Sequence, residues 1–451
     1  MSALPAPVDH FIRTRPTDAF PHATLERAAL LMLDTLGIAI AAHPMEAGVL
    51  ARETAYRLYG ANTQADTAWM MLDGRSASLA GASFATASQT DNLDGHDGFN
   101  PTKGHIGVAV VPVLVSLAQH LPGLSGRDAM AALVTGYEIA GRAGLSLHAS
   151  VSDYHTSGAW NALGVAALAA RLRGATTTQL REALGIAEYH GPRSQMMREI
   201  ANPTMLHDGS GMGALVGVSA MIMAEIGFTG APALTVEAPE VQTYWADLND
   251  VWQTDQQYIK PYPICRWAHA PIDGARQLRR EHNITHDQVA RIDIRSFTNA
   301  IALFPGMPET TSQAQYSLAF AVGSMIRHGT IGLAEISDAG LQDVEVAMLV
   351  SKTHLTVDPR HEARFPSGRW ADVTITLTDG RVLNSGDINA RGGPNDPFSA
   401  DQICDKFMIF AVPVLGVARA GAIKDACLSM PHKESAFEDL LALLKDPPAT
   451  P

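Results

Sequence analysis

The sequence predicts a mainly helical protein, in which a large all-helical domain carries a smaller inserted α+β domain with a cleft between them. Three observations predict it. Segments rich in Ala, Leu and Met, with apolar residues recurring every three or four positions, fill the first part of the chain. Apolar and polar residues begin to alternate after Cys265. Helical spacing returns from Ser399. The boundaries are therefore placed at 1–265 with 399–451 for the helical domain, and at 266–398 for the α+β domain. At 451 residues and 46% hydrophobic, the chain can bury cores of that size.

Taken in order, the helical spacing covers Leu25–Ala42, Gly107–His120, Arg127–Leu147, Ala159–Arg173, Thr178–Tyr189 and Gly213–Ile226. Gly174 and Gly227 stand where C-caps are expected. Strands are expected at Ile292–Phe297 and Ala371–Leu377, the second ending in the hairpin signal Asp379-Gly380. Helical stretches lie between them around Gln313–His328 and Leu333–Asp338. Ala400–Phe410 and Phe437–Leu444 complete the pattern.

Composition excludes several functions. A formal net charge of −13 argues against a nucleic-acid partner, although a locally cationic pocket can still bind an anionic substrate. Three dispersed cysteines, Cys265, Cys404 and Cys427, make no CxxC pair and fit a reducing compartment. The N-terminal MSALPAPVDHFIRTRP is Pro-broken and polar, unlike a signal peptide. The richest apolar stretches, Ala28–Ala42 and Gly211–Ile226, fall short of the ~20 residues of a membrane span and carry Asp34 and Glu225. A cytoplasmic protein with no membrane partner is expected. No GxGxxG follows a strand, and P-loop, GxSxG and HExxH motifs are missing, so chemistry falls to acid–base side chains and no cofactor is expected. The run Gly209–Gly213 opens a helix and suits either an anion at its N-terminus or a close backbone approach.

Five segments offer acid–base groups. The densest, Gln89 to Pro112, crowds Asp91, Asn92, Asp94, His96, Asp97, Lys103 and His105 into a Gly- and Pro-broken knot. Unpaired buried polar groups cost on the order of 1–3 kcal/mol each, so a pocket explains the mixture better than a plain core. Its alternatives are a structural loop or a metal site on Asp91, Asp94 and His96, whose spacing matches no zinc or EF-hand pattern. The second segment, Asp153–Gly158, sets Tyr154 and His155 before a helix, where the dipole favours a neutral imidazole. Ser157 or Thr156 as a simple N-cap is the plainer reading. The third, His190 to His207, holds Arg193 and Arg198, suited to carboxylates or merely solvated. The fourth runs Lys260-Pro-Tyr-Pro-Ile-Cys-Arg-Trp-Ala-His269, where two prolines fix a backbone carrying Lys260, Tyr262, Arg266 and His269. Cys265 there reads as a packed residue. The fifth places Tyr316 at a helix start.

Several collinear segments resemble the MmgE/PrpD family: DNLDGHDG with KGHIGVAVVP, YHTSGAWNALGVAALAARLRG, KPYPICRWAHAPIDGA, AQYSLAFAV, FPSGRWADVTITLTDGR and GGPNDPFSADQICDKF. The resemblance covers nearly the whole chain. It implies a mostly helical domain with an inserted α+β lid domain, commonly in a homodimer. It also implies chemistry on a small polycarboxylate. The positions matching the family's site are Asp91, His105, His155, Lys260 and Tyr316. Two departures stand out. The family's acidic motif reads like L-D-aromatic-D-D-Thr, where this chain has Leu93 and Gly95 for the middle acid and the Thr. Its T-K-P-L-H segment is here Thr204-Met205-Leu206-His207.

Those departures point within the family to cofactor-independent epimerisation of iminodisuccinate by two-base proton transfer at a carbon beside a carboxylate. The alternative is a lyase, acting on a 2-methylcitrate-like or an aconitate-like acid. Either needs cations against a developing carboxylate dianion and groups that move a proton. His105, His155, Lys260 and Tyr316 form the pool of acids and bases, with Asp91 tuning one of them. His96, Lys103, Tyr154, Arg193, Arg266 and His269 are expected to bind substrate, and no residue is expected to hold a metal.

Overall fold

The computed structural model describes residues 4–432 and 435–449. The first three residues of the N-terminal stretch, and the last two of the C-terminal boundary, lie outside the described residues. In chain order the longer helices are α1 (His22–Ala41), α2 (Glu46–Leu58), α3 (Leu79–Asp91), α4 (Gly107–Ala118), α5 (Gly126–Ser150), α6 (Gly158–Arg173), α7 (Thr177–His190) and α8 (Ser210–Glu225). They continue as α9 (His269–His282), α10 (Leu318–His328), α11 (Ala400–Ser429) and α12 (Phe437–Lys445). A small hairpin pairs β1 (Thr67–Trp69) with β2 (Ser76–Ser78). The main sheet comprises β3 (Val289–Ser296), β4 (Thr353–Val357), β5 (Trp370–Leu377), β6 (Val382–Asn384) and β7 (Ile388–Asn389).

Helical periodicity located α1, α4 to α8 and α12 to within a few residues because each buries an apolar stripe, whereas α2, α3 and α9 were not anticipated. Gly174 takes the left-handed conformation at the end of α6, as a C-cap glycine should. Capping boxes start α7 at Thr176 and α11 at Ser399. In the sheet, β3 pairs parallel with β4 and antiparallel with β5, while β6 and β7 both pair with β5. The turn between β5 and β6 is the expected Asp379-Gly380 hairpin, with Gly380 at φ 88°. Helix α9 lies on β5, and α10 lies on α9.

Three local expectations change. The stretch Gln313–His328 is two helices, Thr311–Gln315 and α10, and Tyr316 sits in the break between them. Residues 333–337 are turns, and the short helix there is Asp338–Leu341. The helix expected at Ala400–Phe410 runs on to Ser429 past Pro413 and a bend at Gly416. By length and composition α11 is apolar enough to cross a membrane, with about a third of its most apolar stretch buried in the fold.

Two apolar clusters organise the packing. The larger draws on residues from Leu4 to Ile259 and again from Ile403 to Leu444, so both ends of the chain share it. The second runs mainly from Tyr262 to Leu383, joined by Ile38, Ala41, Ala42, Leu93, Met196, Ile200 and Phe410. Helix α11 docks on α1 through Phe407, which lies over Gly37. A Cβ at Gly37 would stand 2.9 Å from the Phe407 ring, so only glycine admits this approach. Phe407→Ala, at a site 1% exposed, is expected to destabilise the fold by about 3–5 kcal/mol. A urea midpoint unchanged from wild type would show that α11 contributes little to the larger cluster.

Candidate active site

The polar knot is buried and held by long-range bonds. Helix α3 delivers Asp91, and the chain then turns through Asp94 and Lys103, both left-handed at φ 50° and 56°. A short ladder joins Gly98 to Tyr258, with N–H···O distances of 3.0 and 2.7 Å. Two buried lysines fasten the turn. Lys260 Nζ donates to the Asp94 carbonyl at 2.9 Å and pairs with the Asp94 carboxylate. Lys406, from α11, donates to the Gly95 carbonyl at 2.6 Å and to Asp34 at 2.5 Å. Thr35 donates to Asp97, and Gln315 donates to the Asn92 carbonyl. Each polar atom fastened in this way escapes the cost of being buried unpaired.

The knot faces a cavity of about 20 Å³, lined by Asp94, Lys103, His105, Tyr154, Asp208 and Tyr258. Met196, Ile200, Cys265, Arg266, Trp267, Tyr316 and Arg369 complete its wall. That leaves room for about one water, which needs ~10–15 Å³ of such space, so a polycarboxylate is larger than the cavity as it stands.

Proton-handling groups occupy one side. His105 Nδ1 lies 2.7 Å from the Asp97 carbonyl, which can only accept, so Nδ1 carries the hydrogen and Nε2 offers a lone pair. Burial, with the Lys260 charge nearby, holds His105 well below the usual imidazole range, so the ring is neutral. Its Nε2 points at Asp208 Oδ2, 3.7 Å away, and at Asp94 Oδ1, 4.0 Å away. Asp208 is pushed well above the usual carboxylate range by burial and by the charges of Asp91 and Asp94. Ser157 Oγ donates to Asp208 at 2.9 Å and accepts from the His105 N–H at 3.0 Å, which fixes the pair. The expected Ser157 cap is therefore corrected: its hydroxyl serves Asp208 and makes no capping bond to α6.

Cations occupy the other side. Lys103 Nζ lies 4.1 Å over the Tyr154 ring, and the Tyr154 hydroxyl donates to the Lys103 carbonyl. Arg266 stacks at 4.4 Å over Tyr258 and donates to the Arg391 and Ala390 carbonyls at 2.7 and 3.0 Å. Arg369 is 1% exposed and donates only to the carbonyls of Pro366, Gly368 and Asn100. Burial lowers all three, Arg266 to about 10, which leaves it a cation at neutral pH. Among the described residues, none of these cations meets a carboxylate within 4 Å. Buried charge without a partner is costly, so this cavity is built for an anion. Burial pushes the Cys265 thiol up to about 12, which keeps it out of nucleophilic chemistry.

Of the expected site residues, Lys103, His105, Tyr154, Arg266 and Tyr316 line this cavity. Lys260 stands directly behind it on Asp94. Asp91 lies one layer back and accepts from the Ser210 N–H at 3.1 Å, so the anion at the N-terminus of α8 is the protein's own carboxylate. His96 is 3.6 Å from Asp91 and meets the His105 ring edge-on. His269 is fully buried, with Nε2 2.8 Å from the Ile264 carbonyl. His155 and Arg193 do not line the cavity: His155 bridges to Gln195 through its backbone, and Arg193 reaches Glu188 at 3.4 Å.

Asp208, Tyr258 and Arg369 were not anticipated, and Asp94 was counted in the acid–base knot and as a possible metal ligand but given no role in the site. The one local signal for Asp208 is its place before Gly209 at the opening of α8. A separate group, Asp358, His361 and Asp372, has ligand-like spacing, but Arg295 and Arg360 pair with its carboxylates.

A cation-rich cavity holding a neutral imidazole beside a buried acid has the make-up of an enzyme's active site. Residues 8–246 match the MmgE/PrpD N-terminal domain and residues 262–430 the MmgE/PrpD C-terminal domain. The chain belongs to the MmgE/PrpD family. It is 26% identical over 417 residues to the cis-aconitate decarboxylase of Homo sapiens, covering 87% of this chain and 84% of that one. The Mus musculus cis-aconitate decarboxylase is 25% identical, covering 87% and 83%. That of Aspergillus terreus (strain NIH 2624 / FGSC A1156) is 24% identical, covering 100% and 97%.

Asp94→Asn leaves Lys260 buried without its counter-ion and is expected to cost about 3–5 kcal/mol. Adding Lys260→Met should recover most of that loss in a thermal melt. A double variant no more stable than the single one would show that the pair is not the fastening of the turn.

Proposed function

We propose that this protein is a lyase of small polycarboxylates, which decarboxylates a cis-aconitate-like acid. What carries the reading is the neutral His105 and the buried Asp208 touching each other across from three cations that no carboxylate neutralises. The names of the relatives support the lyase over the epimerisation of iminodisuccinate suggested by Gly95 and Met205. His105 and Asp208 stand 3.7 Å apart, side by side, so they act from one face of a substrate carbon.

In this reading the cations hold the carboxylates that remain. The leaving carboxylate lies toward Met196, Ile200 and Trp267, where apolar walls favour its conversion to neutral CO2. Its C–C bond breaks, the electron pair shifts the alkene, and Asp208 delivers a proton to the former alkene carbon. His105 returns a proton to Asp208 through Nε2 once it has taken one from water. The catalyst needs no cofactor and works as a cytoplasmic homodimer, with residues 266–398 as its lid.

Purified enzyme incubated with cis-aconitate in D2O, followed by proton NMR, should give a new methylene alkene with one deuterium in its product and release CO2. Exchange of the Cα–H of iminodisuccinate with no reaction of cis-aconitate would overturn the lyase. Asp208→Asn should lower kcat by about 10²–10⁴-fold. Activity should hold as pH falls through 6.5, because Asp208 keeps its proton there, and should fall on the alkaline side as Asp208 ionises, well above 3.8. Activity that instead falls as pH is lowered toward 6.5 would remove Asp208 as the acid.

A further inference from the structure

We infer that Lys103 and Arg369 together form a subsite for a carboxylate that does not react, so that the protein selects its substrate by the number of carboxylates. The inference rests on the reading of the cavity as a polycarboxylate site and says which groups do the counting. Lys103 ends the short turn Asn100–Thr102, and Arg369 Nη2 reaches the Asn100 carbonyl of that same turn at 3.4 Å. The two cations thus come from distant parts of the chain to one place, close enough that Arg369 depresses Lys103.

The arrangement is costly as it stands. Arg369 lies over the Phe365 ring at 4.8 Å, and its Nε is buried without a partner. Tyr154, whose ring lies under Lys103, keeps its hydroxyl protonated because burial raises it well above the usual phenol range. Among the described residues no carboxylate lies within 4 Å of either cation, whereas the proton-handling side has its own acid–lysine pair in Asp94 and Lys260. Charge has therefore been left open on the side that does no proton transfer. A bidentate carboxylate on Arg369, with Lys103 against it, is the group that closes this account. Arg266 lies over Tyr258, close enough to feel the Arg369 charge, and it remains for another carboxylate of the same molecule.

The test uses binding, so that turnover does not enter. Calorimetric titration of the full-length protein with tricarballylate, glutarate and methylsuccinate compares one tricarboxylate with the two dicarboxylates made by deleting a central or a terminal carboxylate. Wild type is expected to bind tricarballylate at least 10-fold tighter than either dicarboxylate. In Lys103→Met, and in Arg369→Met, that preference should vanish for one of the two dicarboxylates. Arg369→Lys should restore part of it. If Arg369→Met fails to fold, Lys103→Met decides alone, since that side chain is only half-buried and its stem is kept. A preference retained in the variants would overturn the subsite while leaving the lyase reading intact. Wild type that binds none of the three would overturn both.

Discussion

Two lysines buried beneath the polar knot bear the rest of the site. Lys260 grips Asp94 and Lys406 grips Gly95, so the left-handed turn is held from two directions by charges that water cannot screen. Asp34 completes the second pair from α1. A buried ion pair adds little net stability over apolar packing, but breaking one is severe. The turn therefore has one geometry or the fold is lost. That single geometry sets the Asp97 carbonyl where it fixes the His105 tautomer, and the tautomer decides which nitrogen faces the cavity.

The electrostatics divide along the same lines. On the proton-handling side, burial drives His105 down and Asp208 up, so a neutral imidazole stands 3.7 Å from a carboxyl that holds its proton more tightly than usual. On the opposite side, burial lowers Lys103, Arg266 and Arg369 without discharging Arg266, and the two guanidinium groups donate to carbonyls. Desolvation thus does both tasks: it neutralises weak acids and bases, and it leaves guanidinium charged because its pKa starts so high.

Much of this was legible in the sequence. Periodicity exposed α1, α4 to α8 and the strands β3 and β5, since each buries a stripe that local spacing records. The knot from Asp91 to His105 stood out by its density of polar groups. Asp208 and Arg369 did not, because what makes them functional is burial by distant partners, Ser157 and the turn at Asn100. Tyr316 was read at a helix start, yet it faces the cavity from a break between helices that the apolar spacing runs straight through. His155 and Ser157 were weighed from the same short segment. The structure uses the serine hydroxyl at the cavity and leaves the imidazole outside its lining.

The packing of α11 on α1 has a consequence for how this chain can be rearranged. Sequence divides the protein between residues 246 and 262, but space does not, because α11 follows that division and still belongs to the larger cluster. A fragment ending near residue 260 would expose the groove at Gly37 and strand Asp34 in the interior without its lysine. Chimaeras between relatives should therefore exchange residues 262 to 398 as a cassette and leave α11 with the host. Cut that way, the grafted piece carries Arg266, Tyr316 and Arg369 with it while Lys103, His105 and Asp208 stay with the host, so the cavity of a hybrid would be walled by both parents.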